Sequence, residues 1–138
     1  MGSVEDELSA FLERISGVTC FRERTKIYAP TCRGRCISEV RKLIEKVNML
    51  TGGSTVYDAE GSWIDPETGR VETEPVKVIE AAHYCLSREQ AEKLVEALSE
   101  YAREAKQTAI AIYSGNQFYI AETPKLLKIY EERKIEML

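Results

Sequence analysis

No stretch of this sequence approaches the ~20 consecutive apolar residues that a membrane-spanning helix needs. No membrane partner is therefore expected. The N-terminus, Met1-Gly2-Ser3-Val4-Glu5-Asp6-Glu7, is acidic and lacks the apolar core of a secretory signal, which points to the cytoplasm. Met1-Gly2 resembles a myristoylation start, but Asp6 stands where Ser or Thr is needed. A single histidine leaves little from which to build a Ser-His-Asp arrangement or a histidine-rich metal set. Side-chain amides are scarce: Asn occurs only at Asn48 and Asn116, Gln only at Gln90, Gln107 and Gln117. No internal repeat or low-complexity tract is present. Basic charge is not in excess either. A net charge of −4 and a pI near 5.2 lack the general cationic surface that counterion release on nucleic acid demands.

What is there reads as one globular domain, residues 1–138. The chain is 43% hydrophobic and 30% charged, and its length suffices to bury roughly two-thirds of the unfolded surface without staples. Abundant Glu, Lys and Arg with few thermolabile amides is a thermophile's composition.

Apolar spacing places an N-terminal helix over 4–16 through Val4, Leu8, Phe11, Leu12 and Ile15, ended by Gly17. A strand follows over Val18 to Ala29, stopped by Pro30. The next helix, Ser38 to Leu50, carries Val40, Leu43, Ile44, Val47 and Leu50 and closes at Gly52-Gly53. Thr55 to Ile64 and Val71 to Tyr84 read as strands around the turn Asp65-Pro66-Glu67-Thr68-Gly69. Pro75 implies an edge or an irregularity. Ser87 and Gln90 form a capping box that opens a helix to Lys106. Thr108 to Tyr113 and Gln117 to Ala121 form a hairpin about Ser114-Gly115-Asn116. Pro124 opens a terminal helix over 124–136 with Leu126, Leu127, Ile129 and Tyr130. The fold class is thus α+β. It has a ferredoxin-like βαββαβ core over 18–122 with one antiparallel sheet, an extra C-terminal strand, and added N- and C-terminal helices.

In that topology the first and third strands are antiparallel neighbours. A register with Cys20 opposite Cys85 pairs Phe21 with Tyr84, Ile27 with Val78, and Ala29 with Val76 on a face under the helices. The other face pairs Arg22 with His83, Arg24 with Ala81, Lys26 with Ile79, and Tyr28 with Lys77. A one-residue slip would mix the two sets. This register favours a Cys20–Cys85 disulfide, leaving Cys32 and Cys36 to pair locally. Loop entropy gives ~4 kcal/mol for the long bridge and ~2 kcal/mol for the short one. Four reduced thiols are the alternative in a mesophile. A zinc site drawing on Cys20, His83 and Cys85 is a poorer fit, because Cys-x3-Cys lacks a second close pair. No metal and no cofactor is expected.

The same register gathers Arg22, Arg24, Lys26, Tyr28 and Lys77 on the exposed sheet face, with Tyr57 and Trp63 near. Cations interleaved with aromatics on an open sheet can hold single-stranded nucleic acid. The competing reading is a face covered by terminal helices or a second subunit. Asp58, Glu60, Asp65, Glu72 and Glu74 cluster as acids around one hairpin; such a set can bind a divalent cation or act as acid and base, but solvated strand-end acids are the commoner case. Gly52-Gly53-Ser54-Thr55 runs from helix to strand, the wrong order for a phosphate loop. Cys36, flanked by Arg33 and Arg35 near a helix start, is the best single candidate for a reactive residue, with a structural disulfide the stronger reading. No catalytic residue is assigned.

The stretch Gly52-Gly53-Ser54-Thr55-Val56-Tyr57-Asp58-Ala59-Glu60-Gly61-Ser62-Trp63, with Glu74-Pro75-Val76-Lys77-Val78-Ile79-Glu80, resembles an uncharacterised family of small prokaryotic, archaeal and viral proteins. The shared patterns are a GG-x-TV-x-x-x-x-G-x-W strand and an EP-x-x-V-x-E strand. The family is similar in element order to PII-like and CutA-like ferredoxin-fold trimers. The Cys-Arg-Gly-Arg-Cys insert and both terminal helices depart from its pattern. The resemblance implies a small protein of a thermophilic archaeon or its virus, in the latter case acting in the host cytoplasm. The expected function is non-catalytic binding or assembly as a homo-dimer or trimer. The alternatives are single-stranded nucleic-acid binding and PII-like small-ligand or metal sensing.

Overall fold

The architecture comes from a computed structural model that describes residues 4–136. The Met1-Gly2 start lies outside the described residues. Helix α1 spans Val4–Glu13, strand β1 Glu23–Pro30, helix α2 Ile37–Thr51, strand β2 Thr55–Ile64 and strand β3 Val71–His83. Helix α3 then spans Arg88–Glu104, β4 Ala109–Ser114, β5 Gln117–Glu122 and α4 Thr123–Glu136. The strands form one antiparallel five-stranded sheet in the order β2-β3-β1-β4-β5. The first four strands have the order of a ferredoxin-like split unit, and β5 extends it at the edge beside β4.

The helices gather on one face of this sheet. α2 turns Val40, Leu43 and Val47 inward, and α3 turns Ala97, Leu98 and Tyr101 inward. They meet Ile27 and Ala29 of β1, Ile79 and Ala81 of β3, and Ile110 of β4. Leu126 brings the first turn of α4 into the same core, while the side chains of Leu127, Ile129 and Tyr130 lie outside what is described. The capping box of α3 is formed as the sequence implies: Ser87 Oγ accepts from Gln90 N, and Gln90 Oε1 accepts from Ser87 N. α2 ends on Gly52, whose left-handed φ of 95° lets its N–H close on Asn48 O. Among the described residues no helix is long and apolar enough to cross a membrane.

The β1–β3 register differs from expectation by one residue. The pairs are Arg24 with Ala82, Lys26 with Glu80, Tyr28 with Val78, and Ala29 with Lys77. The slip leaves β1's faces as expected but exchanges those of β3. Ile79 and Ala81, not Val76 and Val78, lie under the helices, and Lys77 leaves the Arg24–Lys26–Tyr28 face. The helices choose this register because it sets Ile79 against Ile27 in the core. Strand β1 also begins only at Glu23, so Cys20 stands in irregular chain with no ladder to hold it against Cys85. The expected Cys20–Cys85 bridge is absent, and both thiols are exposed. Phe21 and Tyr84 still meet, with ring centroids 4.9 Å apart. Cys32 and Cys36 are bonded to each other.

Candidate functional site

Residues 31–36 form a tight loop between β1 and α2. Cys32, Arg33 and Gly34 all adopt positive φ, and the turn is closed by Gly34 N and Cys36 N donating to Thr31 O, both at 3.0 Å. Two non-glycine residues in the left-handed region are held there by the Cys32–Cys36 bond and by Arg35, whose backbone N and Nε both donate to Cys32 O. The two sulfurs lie 3.8 and 3.9 Å from Ala105 O at the end of α3. Gln107 Nε2 donates to that same carbonyl at 3.3 Å. Tyr101 anchors the loop from below by donating to Pro30 O at 2.5 Å. Burial, together with the nearby Glu74 and Glu39, pushes the Tyr101 phenol well above its ordinary range, so it stays a neutral donor.

A cavity of about 580 Å³ opens beside this loop. The disulfide, Arg33, Arg35 and Glu39 form one wall. Trp63, Thr73 and Glu74 of the β2–β3 ribbon form another, and Glu104 to Gln107 a third. The ribbon supplies that wall because β1 stops at Pro30 opposite Val76, while β2 and β3 continue as a two-stranded arm to Ile64 and Val71. Pro75 fits there because β1 has ended: Pro75 lacks an N–H to give, but its carbonyl accepts from Thr31 N at 3.2 Å. Burial raises the Glu74 carboxyl above the ordinary carboxylate range, and Arg33 pulls it part of the way back. The cavity thus mixes cations, Arg33, Arg35 and Lys106, with carboxylates, Glu39, Glu74 and Glu104, and one indole, a lining able to meet a polar small molecule with a flat ring.

The second feature is the sheet face away from the helices. Register sets Tyr57, Val78, Tyr28, Ala111 and Ile120 in a row across all five strands, with Tyr113 and Phe118 beside them. Val78 at the centre is only 1% exposed, whereas Phe118 and Ile120 on the β5 flank are 55% and 69% exposed. Tyr28 and Phe118 make an edge-on contact at 5.7 Å between centroids.

Of the residues proposed from sequence to bind, Arg24, Lys26 and Tyr28 do share this face. Arg24 is ion-paired with Glu80 at 3.4 Å, and Lys26 lies 5.7 Å from the Tyr113 ring centroid. Arg22 is exposed but precedes the strand. Lys77 is on the opposite face, bound to Asp58 at 2.5 Å. The cationic row is therefore broken. Glu80, Tyr113, Phe118 and Ile120 went unnoticed from sequence, although the alternation Ile110-Ile112 against Phe118-Ile120 was a readable signal. His83 is buried and committed: its Nδ1 donates to Tyr84 O (2.6 Å), and its Nε2 shares a hydrogen bond with the Thr25 hydroxyl (2.8 Å). Among the described residues no group of three or more His, Cys, Asp or Glu is placed to hold a metal ion.

No protein-family model matches the chain, and no curated protein matches it significantly. Two solved structures are similar in fold. A phage SAM lyase in complex with S-methyl-5'-thioadenosine superposes with a TM-score of 0.55 at 15% identity, covering 78% of this chain and 95% of the lyase chain. A phage SAM lyase in the apo state gives 0.52 at 18% identity, covering 78% and 94%. At these identities the likeness shows a shared α+β fold.

Proposed function

We propose that this chain is a self-associating binding protein whose copies meet through the open face of the sheet. The carrying observation is that face itself. Tyr57, Tyr28, Tyr113, Phe118 and Ile120 share one surface of a five-stranded sheet, and every core helix packs on the other side. Large apolar side chains left exposed together, Tyr57, Phe118 and Ile120 among them, favour an interaction surface. Single-stranded nucleic acid fits it less well, since Lys77 faces away and Arg24 is neutralised by Glu80. The test is light scattering coupled to size exclusion across a dilution series, with Phe118→Glu beside the parent chain. Oligomers that the substitution dissolves support the reading, and a parent chain that stays monomeric at every concentration refutes it.

A second reading concerns the cavity at the disulfide loop. That a phage lyase of this fold holds S-methyl-5'-thioadenosine favours a nucleoside thioether or its sulfonium as ligand here, with Trp63 against the base and Glu74 facing the sulfur end. Calorimetric titration with S-methyl-5'-thioadenosine and with SAM tests it, alongside a measurement of SAM consumption. Binding weakened by Trp63→Ala and by Glu74→Gln supports a ligand site. SAM consumption lost in Glu74→Gln makes the protein an enzyme. No heat with either compound removes the reading.

A further inference from the structure

Helix α1 is amphipathic, and its described apolar side chains are exposed. Leu8, Phe11 and Leu12 recur at i, i+3 and i+4 on one side of it, while Ile15 lies in the turn beyond Glu13, where the helix stops short of the 4–16 expected from apolar spacing. Leu8, Phe11, Leu12 and Ile15 are 57%, 70%, 41% and 54% exposed, and none of the four belongs to the apolar core. A ten-residue helix is marginal in water on its own, so its stability has to come from packing. The chain leaves a second apolar surface equally bare, the β5 flank of the open sheet face, where Phe118 and Ile120 project side by side.

We infer that α1 is an exchanged arm, and that its apolar stripe seats over Phe118 and Ile120 of a second copy, which returns its own α1. This rests on the reading that the open face is the assembly surface, and names what completes it.

Charge and area both favour this seat. Over Val4–Glu13 the helix carries four acidic residues and no basic one, while Lys26 stands on the face that would receive it, Arg24 there being already paired with Glu80. Five strands ~4.8 Å apart and six to thirteen residues long make a face roughly 24 Å wide and, at ~3.3 Å per residue, from about 20 to about 43 Å long. On the β4–β5 side, where the strands are shortest, two reciprocally seated helices, each roughly 15 by 10 Å, add to the area that association buries. The connector 14–22, extended at ~3.3 Å per residue, spans up to roughly 30 Å, which is enough to cross to a neighbour. Gly17, at φ 84°, provides the bend. The same connector could fold α1 back onto its own sheet, yet in the single chain that seat is bare.

The experiment uses the full chain with Cys20→Ser and Cys85→Ser, keeping Cys32 and Cys36. Leu12→Cys is placed in one preparation and Ile120→Cys in another, and the two are mixed and mildly oxidised. The expected product is a disulfide-linked pair containing one copy of each, and separate preparations should give little linked material. In a single chain bearing both substitutions, an intrachain link without interchain product would overturn the exchange, and no link in either format would overturn the seat. A chain lacking residues 1–17, checked for folding by circular dichroism, should self-associate about tenfold or more weakly. Unchanged association of that chain sinks the arm and leaves the assembly face standing. A monomeric full-length parent sinks the assembly face itself.

Discussion

Glu74 carries the clearest titration consequence at the scale of a residue. Burial raises its pKa above 4.5 in the folded protein, so the folded state holds a proton more tightly than the unfolded chain does. Stability therefore falls as pH rises from 4.5 through that raised value, and the loss persists at neutral pH. Glu74→Gln removes the titration. The urea midpoint of the parent should decline over this window relative to the variant, and parallel midpoints for the two proteins would mean that the carboxyl is not buried in solution. The neighbouring disulfide makes a separate contribution. Closing the short Cys32–Cys36 loop restricts the unfolded chain by ~2 kcal/mol in the loop-entropy model. Denaturant unfolding with and without reductant should differ by about that amount, with intact mass confirming two reducible sulfurs. Because Cys32 and Arg33 sit at positive φ, reduction should also loosen the cavity wall that carries Arg33 and lower any affinity the cavity has.

Elements divide into those whose own residues decide them and those decided from outside. Helix α3 belongs to the first kind: Ser87 and Gln90 cap each other, and Ser87→Ala should cost about 1 kcal/mol in an unfolding titration. The Thr55–Ile64 strand, the 114–117 hairpin and helix α2 were legible for the same reason, since alternation, Gly115 and the Gly52 stop act locally. The β1–β3 register was not. Val76, Val78 and Ile79 offer apolar side chains to both faces of β3, so sequence alternation supports two registers one residue apart. Packing of Ile79 and Ala81 against Leu43 and Leu98 of the helices selects between them, and no local pattern reports that. Reading the cysteines as a register mark led the other way, because Cys20 precedes the strand. The disulfide loop was readable from Cys-Arg-Gly-Arg-Cys. The cavity beside it was not, because Trp63 and Glu74 reach it only through the overhang of β2 and β3 beyond Pro30.

At the scale of the whole molecule, helices on one side of an antiparallel sheet make a complete two-layer domain whose other face is commonly left to water, with polar residues on it. Here that face carries Tyr28, Phe118 and Ile120 instead. In the proposed assembly a second copy covers them and, through α1, brings its own exposed apolar residues. Mass action then ties stability to concentration. If folded chains bind one another and unfolded chains do not, the melting temperature must rise with protein concentration. Ile120→Glu puts a charge into the seat while leaving the opposite, helix-covered core untouched. The variant should keep the far-ultraviolet spectrum of the parent and melt at a temperature independent of concentration, matching the parent's value at high dilution. A parent that melts at the same temperature over a hundredfold concentration range would refute association of folded copies through the open face. A variant that unfolds outright would place Ile120 in the stability of the monomer, against its exposure on the β5 flank.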